Sequence, residues 1–82
     1  MVKAVLHPRF EKIYSKIKDK GLKERIEKQL IRLKDNPEIG KPMKNVRKGT
    51  REIYVSPYRL SYVYLENEDK IVLLDFYHKD EQ

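Results

Sequence analysis

The stretch "REIYVSPYRLSYVYLENEDKIVLLDFY" (residues 51–77) decides the fold of this chain. It contains three runs rich in β-branched and aromatic residues, a composition typical of strands. These runs are Arg51–Val55, Arg59–Leu65 and Lys70–Tyr77. The turn "SPY" separates the first two runs and the acidic turn "ENED" separates the last two. Because both connections are short and made of turn-forming residues, the stretch predicts a β-meander.

The first half of the chain begins with one strand and one helix. The segment Val2–Leu6 ("VKAVL") is a strand candidate, and Pro8 suits the first turn of a helix, where its missing N–H is not needed. Apolar residues then recur at i, i+3, i+4 and i+7, which places them on one helical face. They are Phe10, Ile13, Tyr14 and Ile17. We expect Gly21 to end this helix in a left-handed conformation.

A second amphipathic helix follows and completes an antiparallel αα-hairpin. Its apolar positions are Leu22, Ile26, Leu30 and Leu33, and "DNP" (Asp35–Pro37) ends it. Pairs of charges along such helices add only a few tenths of a kcal/mol, so packing on the sheet must hold them. The prediction is one small α+β domain over residues 1–82, in the order β-α-α-β-β-β, with the αα-hairpin on a mainly antiparallel sheet.

Composition excludes several kinds of site. The chain of 82 residues has no cysteine and two histidines far apart, so thiol catalysis and cysteine zinc sites are excluded and a metal centre is not expected. A domain of this size has room for one core, and we expect no enclosed cofactor. The longest apolar run is too short to cross a bilayer, and the N-terminus lacks a signal-peptide pattern. We therefore expect a cytoplasmic protein with no membrane partner.

Positive charge is concentrated in the first fifty residues. The formal net charge is +6, and residues 1–50 carry 15 basic and 6 acidic side chains against 4 and 7 in residues 51–82. The segment Glu38–Thr50 has no periodicity and is predicted to be an ordered loop. Basic side chains crowd this loop and the residue after it: Lys41, Lys44, Arg47, Lys48 and Arg51. Such a patch is typical of nucleic-acid binding, although a charged surface can also serve solubility alone.

The residues that could carry chemistry lie near the predicted strands. RNA can be cleaved without a metal if the 2′-OH attacks the adjacent phosphate, which requires a proton acceptor, a cation for the phosphorane and a proton donor. Arg59 and Lys79 could supply the charge, and His78 could accept or donate a proton. Five of the six tyrosines lie between Tyr54 and Tyr77. They could stack on bases, or simply pack on a sheet face, as the alternation of Tyr62 and Tyr64 with Leu60 also allows.

The order of the elements, the loop "GKP…KG" before the second strand and the strand "YRLSY" resemble the RelE/ParE superfamily of type II toxin–antitoxin toxins. The resemblance covers essentially the whole chain. It implies an RelE/ParE-like fold and a ribosome-dependent, metal-independent endoribonuclease that cuts mRNA in the ribosomal A site. It also implies a cognate antitoxin as partner, in a toxin–antitoxin hetero-oligomer.

Roles for individual residues follow from the same resemblance. Arg59 matches the arginine of the "YRL" motif, which in the family contacts the scissile phosphate, and His78 resembles the acid or base of one branch. Lys79 matches the basic residue that ends the last strand in another branch. Glu52 stands where that branch has a lysine and could act as a base. The expected RNA or ribosome contacts are Lys41, Lys44, Arg47, Lys48, Arg51 and Tyr77.

Two other functions remain open from the sequence. Members of the ParE branch poison DNA gyrase instead of cutting RNA, and fold resemblance does not exclude that activity. The chain also departs from the family pattern at Glu52 and Tyr54 and lacks the family's catalytic tyrosine beyond the last strand. A catalytically inactive relative that only binds antitoxin and operator is therefore the third hypothesis.

Overall fold

The structure, a computed structural model, describes residues 2–43 and 49–81. Within these ranges five strands form one sheet, and two helices pack against it. The strands are β1 (Lys3–Leu6), β2 (Lys41–Pro42), β3 (Arg51–Val55), β4 (Tyr58–Leu65) and β5 (Lys70–His78). The helices are α1 (Pro8–Ser15) and α2 (Lys20–Asp35). The predicted α+β class, with an αα-hairpin on a sheet, is confirmed.

The strand order across the sheet is β1-β5-β4-β3-β2. Strands β2 to β5 pair antiparallel, as the short turns between β3, β4 and β5 require, and β1 pairs in parallel with β5. The two helices lead from β1 to β2 at the far edge of the sheet. The chain then crosses back through β3 and β4, so the last strand, β5, lies beside β1. The register places Tyr54 opposite Arg59 and Arg59 opposite Tyr77, which aligns these three residues across the middle of the sheet.

The core lies between the helices and one face of the sheet. Phe10, Ile26 and Leu33 bring the apolar faces of the helices into it and are almost completely buried. The sheet contributes a second set of buried residues, which are Val55, Leu60, Tyr62, Ile71, Leu73 and Phe76. Because side chains alternate along a strand, the residues between them point to the opposite face. That opposite face carries the polar residues of the candidate site.

Two local predictions are wrong. Gly21 does not end the first helix: α1 ends at Ser15, and Gly21 lies in the first turn of α2. The reason is Asp19, whose carboxylate accepts a hydrogen bond from the Leu22 N–H at 3.2 Å. Asp19 is thus the N-cap of α2, which begins at Lys20. The segment 38–50 is also not entirely loop, because β2 pairs with the beginning of β3.

Tyr62 anchors the segment between α2 and β2. Its side chain is fully buried, and its hydroxyl donates to the Pro37 carbonyl at 2.8 Å and accepts from the Gly40 N–H at 2.9 Å. Of the two roles left open for this tyrosine, the structure therefore shows core packing. Burial raises the pKa of Tyr62. Since the folded state then holds this proton more tightly, we expect stability to fall as the pH rises above the ordinary tyrosine value of about 10.

Replacing Gly40 by alanine is expected to destabilise the protein by about 1–3 kcal/mol, as overpacking does in a closed core. A Cβ at Gly40 would lie 2.6 Å from the Tyr62 ring carbon Cε1 and closer still to its hydroxyl, and the buried ring has no space to retreat. Urea denaturation measures the change. Gly21→Ala is the matched control, because that Cβ meets only the Asp19 carboxylate at 3.3 Å and alanine favours a helix. Equal stability of the two variants would contradict the close approach at Gly40.

Candidate functional site

Three polar side chains converge on the sheet face opposite the helices. Glu52 on β3, Arg59 on β4 and Tyr77 on β5 come from neighbouring strands. Arg59 Nη1 donates to Glu52 Oε1 at 2.7 Å, and the Tyr77 hydroxyl donates to Glu52 Oε2. The carboxylate is thus held between a guanidinium and a phenol. Glu52 is 7% exposed, whereas the Arg59 side chain is 36% exposed, so the pair is reachable from the side of the arginine.

The guanidinium of Arg59 stays charged in this setting but is not fully satisfied. The hydrogen bond to Glu52 raises the pKa of Arg59 above its ordinary value, against the opposite effect of desolvation. Its Nε is buried, and nothing in the described part of the chain accepts a hydrogen bond from it. A buried donor without an acceptor is costly and calls for an explanation. The site therefore contains one hydrogen-bond donor that the described residues leave unused.

Two of these side chains, Glu52 and Arg59, border an open cleft of about 520 Å³. Its lining is Ile39, Lys41, Glu52, Ile53, Tyr54, Arg59 and Lys79. Among the described residues, three cations and one carboxylate therefore face the same space, and the carboxylate is already paired with Arg59. The balance favours an anionic ligand such as a phosphodiester.

Backbone pairing holds the two lysines at the cleft. Lys41 on β2 lies opposite Glu52 in the register, and its side chain is exposed. Lys79 begins the short 3₁₀ turn after β5, and its N–H donates to the Pro57 carbonyl at 3.1 Å. This hydrogen bond ties the end of the chain to the turn between β3 and β4. The backbone at Lys79 is therefore fixed, while its ammonium remains exposed.

His78 does not join this group. Side chains alternate along β5, so His78 and Tyr77 point to opposite faces of the sheet, and it is Tyr77 that pairs with Arg59 in the register. The His78 ring meets the Tyr58 ring edge-on at 5.6 Å, and its Nδ1 accepts a hydrogen bond from the Asp80 N–H. The Asp80 carboxylate is 3.6 Å from the same nitrogen. The role of His78 as an acid or base stays a prediction, and His78 does not line the cleft.

Arg51 holds the backbone that leads into β2. Its Nη1 donates to the carbonyls of Glu38 at 3.0 Å and Gly40 at 2.8 Å, and its Nη2 lies 3.8 Å from the Glu38 carboxylate. Together with Tyr62, it fixes the segment that carries Lys41 to the edge of the cleft. RNA contact by Arg51 stays a prediction. The predicted contacts Lys44, Arg47 and Lys48 lie outside the described residues.

Sequence reasoning singled out Arg59, Glu52, Lys79 and Tyr77 one by one, but placed Tyr54 only among the five tyrosines that could stack on bases and not in the site. Tyr54 lines the cleft, lies opposite Arg59 and is 49% exposed. A signal was present, since Tyr54 is two residues from Glu52 and therefore on the same face of β3. Among the described residues no group of His, Asp or Glu side chains forms a metal site, and no helix is long and apolar enough to cross a bilayer.

Comparison with known families gives one match that covers almost the whole chain. The family model described as "ParE toxin of type II toxin-antitoxin system, parDE" matches residues 4–82. A search of curated proteins found no match. Because the family model is matched to the amino-acid sequence, this result is independent of the structure.

Comparison with solved structures points to the same fold. The isolated Escherichia coli RelE toxin superposes with a TM-score of 0.82 at 17% identity, covering 100% of this chain and 88% of that one. The toxin chain matched in the intact E. coli RelBE toxin–antitoxin complex gives 0.81 at 18% identity, with 95% and 96% covered. The conserved hypothetical protein HP0894 from Helicobacter pylori gives 0.66 at 26% identity, with 99% and 98% covered. At such low identity the two E. coli structures show the fold alone.

Proposed function

This chain belongs to the ParE toxin family of type II toxin–antitoxin systems, and from that premise we propose that it is a metal-independent endoribonuclease that cleaves mRNA in the ribosomal A site. The observation that carries the proposal is the Glu52 carboxylate held between the Arg59 guanidinium and the Tyr77 hydroxyl at the border of a cationic cleft. A proton acceptor and a phosphate-binding cation side by side are what cleavage by the 2′-OH needs.

The residues of the cleft divide the chemistry as follows. Glu52 takes the proton of the 2′-OH while the 2′ oxygen forms a bond to phosphorus. Arg59 binds the non-bridging oxygens and stabilises the negative charge of the phosphorane. The bond from phosphorus to the 5′ oxygen then breaks, and Lys79 donates a proton to that oxygen. The products are a 2′,3′-cyclic phosphate and a free 5′-OH.

The resting pair of Arg59 and Glu52 also provides a means of activation. Each partner neutralises the other while the cleft is empty. A phosphate attracts the guanidinium, which has an unsatisfied Nε as well, and so competes with Glu52 for it. The carboxylate keeps the Tyr77 hydroxyl as a positioning partner and is then available to accept the proton of the 2′-OH.

A cognate antitoxin is the expected protein partner. Two of the structural neighbours contain RelE with its antitoxin: the RelBE complex and a RelE variant bound to an antitoxin peptide, the latter at a TM-score of 0.77 and 18% identity. The net charge of +6 favours an acidic segment in that partner. We expect a toxin–antitoxin hetero-oligomer whose affinity falls with rising salt.

Mapping of transcripts after induction tests the proposal. Primer extension should show discrete cuts inside translated regions within minutes of induction, and inhibition of ribosomes beforehand should remove them. On purified 70S ribosomes programmed with a defined mRNA, the purified toxin should cut that mRNA at the A-site codon with no other nuclease present. Intact transcripts in growth-arrested cells would contradict the proposal.

Inhibition of DNA gyrase is the second candidate, favoured by the family model that matches the chain. It predicts an SOS response and loss of plasmid supercoiling, with transcripts left uncut. The third hypothesis, an inactive relative, predicts neither toxicity nor cuts but unchanged antitoxin binding. The same induction experiment therefore separates all three.

His78→Gln is expected to keep the single-turnover cleavage rate within about threefold of the unmodified chain, because the ring packs on Tyr58 away from Arg59. Glutamine preserves much of the side-chain volume but does not exchange a proton. Rates measured on programmed ribosomes across pH 5–8 give the comparison. A fall in the cleavage rate of roughly 10²–10⁴-fold, the usual contribution of acid–base catalysis, would mean that His78 takes part in proton transfer.

A further inference from the structure

A second depression adjoins the cleft on the other side of Tyr54. It has a volume of about 230 Å³ and lies between α2 and the end of β3. Its lining is Arg25, Lys28, Gln29, Tyr54, Val55 and Ser56. Since Tyr54 lines both depressions, its half-exposed ring stands between two cationic surfaces.

One side of α2 extends the cationic surface beyond this depression. Arg25, Lys28 and Arg32 follow at i, i+3 and i+7, which places the three exposed side chains along one stripe of the helix. Arg25 Nη1 donates to the Ser56 carbonyl, so the stripe is fixed to the turn between β3 and β4. The lining of this depression, all within the described residues, includes no acidic side chain.

We infer that Tyr54 is a stacking platform for one base of a single-stranded RNA. The RNA backbone then runs from the cleft to the cationic stripe of α2. The inference rests on the proposed function, because it concerns the same RNA at the same cleft. It adds a binding residue and a direction for the strand.

The properties of Tyr54 fit a platform better than a structural role. Its ring is 49% exposed, and its one described hydrogen bond, to the Ser56 hydroxyl, is long at 3.5 Å. It lies opposite Arg59 in the register, so a base on this ring is next to the cation that would hold the scissile phosphate. Every base has a π-face, so such a contact adds affinity without requiring one sequence.

Binding of a non-cleavable RNA tests the platform. The probe is fluorescein-labelled 2′-O-methyl oligouridine of about twelve nucleotides, whose blocked 2′ oxygen prevents cleavage, and anisotropy at low salt gives Kd. Tyr54→Ala should raise Kd by about 5- to 150-fold, the loss of one stacked base, and Tyr54→Phe should change it by less than about twofold. Ile31→Ala is the control, because Ile31 is 62% exposed on α2 but lines neither depression.

Removal of charge from the stripe tests the direction of the strand. The double variant Lys28→Gln/Arg32→Gln should weaken binding of the long RNA and reduce the slope of log Kd against log salt by about 0.7 for each phosphate released. Lys12→Gln/Lys18→Gln removes the same charge from exposed positions outside both depressions and should leave the slope nearly unchanged. An RNA of about three nucleotides, long enough only for the cleft, should not distinguish the two double variants.

The outcomes separate this inference from the proposed function. Equal affinity of the unmodified chain and Tyr54→Ala overturns the platform, as does absence of measurable binding at low salt. Equal salt slopes of the two double variants overturn the path along α2. In each case, cleavage of mRNA on ribosomes would still support the proposed nuclease function. Tyr54-dependent RNA binding without cleavage would overturn the nuclease and keep the platform.

Discussion

Arg59→Ala is expected to lower the single-turnover rate of mRNA cleavage on ribosomes by about 10²–10³-fold, the usual effect of removing one group that stabilises transition-state charge. Arg59 Nη1 lies 2.7 Å from Glu52 Oε1, so its charge is held beside the carboxylate of the cleft. Growth inhibition after induction should disappear with the cuts. Arg59→Lys should recover part of the rate, because a lysine restores the charge but not the planar fork of the guanidinium.

The Arg59 experiment needs a control for stability, since Arg59→Ala also removes the cation beside the buried Glu52 carboxylate. The double variant Arg59→Ala/Glu52→Gln removes both charges and should regain stability in urea while staying inactive. Arg9→Ala is the matched control for lost charge, because Arg9 is 68% exposed and its partner is Asp75 at 3.6 Å. Full activity of Arg59→Ala, or recovery of activity in the double variant, would make Arg59 a structural residue.

The fold could be predicted from the sequence because its signals are local and periodic. The apolar positions of the helices repeat at helical spacing, and the strands from residue 51 onward are separated by turn residues. The wrong boundary between the helices came from interpreting Gly21 as a helix end, whereas the side-chain cap by Asp19 is the more specific signal for a helix start. The two-residue strand β2 carries no period and is formed only by pairing with β3.

The candidate site could be predicted only in part, because its geometry depends on strand register. Tyr77 and His78 are adjacent, so only one of them can share the face of Arg59, and a slip of one residue would exchange them. The register between β4 and β5 shifts near Ser61 and Tyr62, and no sequence pattern announces that irregularity. The sequence therefore named Arg59, Glu52 and Tyr77 singly. That Glu52 accepts hydrogen bonds from both Arg59 and Tyr77 became visible only when the strands were paired.

Glu52→Gln is expected to lower the same rate by about 10²–10⁴-fold, the usual contribution of a general base. The amide keeps the shape of the side chain, and its one oxygen can still accept a hydrogen bond from Arg59 or Tyr77. It does not take the proton of the 2′-OH. Tyr77→Phe is the graded comparison. It removes one hydrogen bond to Glu52 and leaves the carboxylate, so a loss of roughly tenfold is expected from mispositioning.

A modified substrate distinguishes the roles of the base and the acid. When sulfur replaces the 5′ bridging oxygen, the leaving group departs without a proton. A variant that lacks the acid should therefore regain the rate of the unmodified chain on this substrate. Lys79→Ala should therefore recover on this substrate, whereas Glu52→Gln should stay slow because the 2′-OH still has to lose its proton. Recovery of Glu52→Gln would assign Glu52 to the leaving group. A normal rate for Glu52→Gln on both substrates would mean that the carboxylate only holds Arg59 in place.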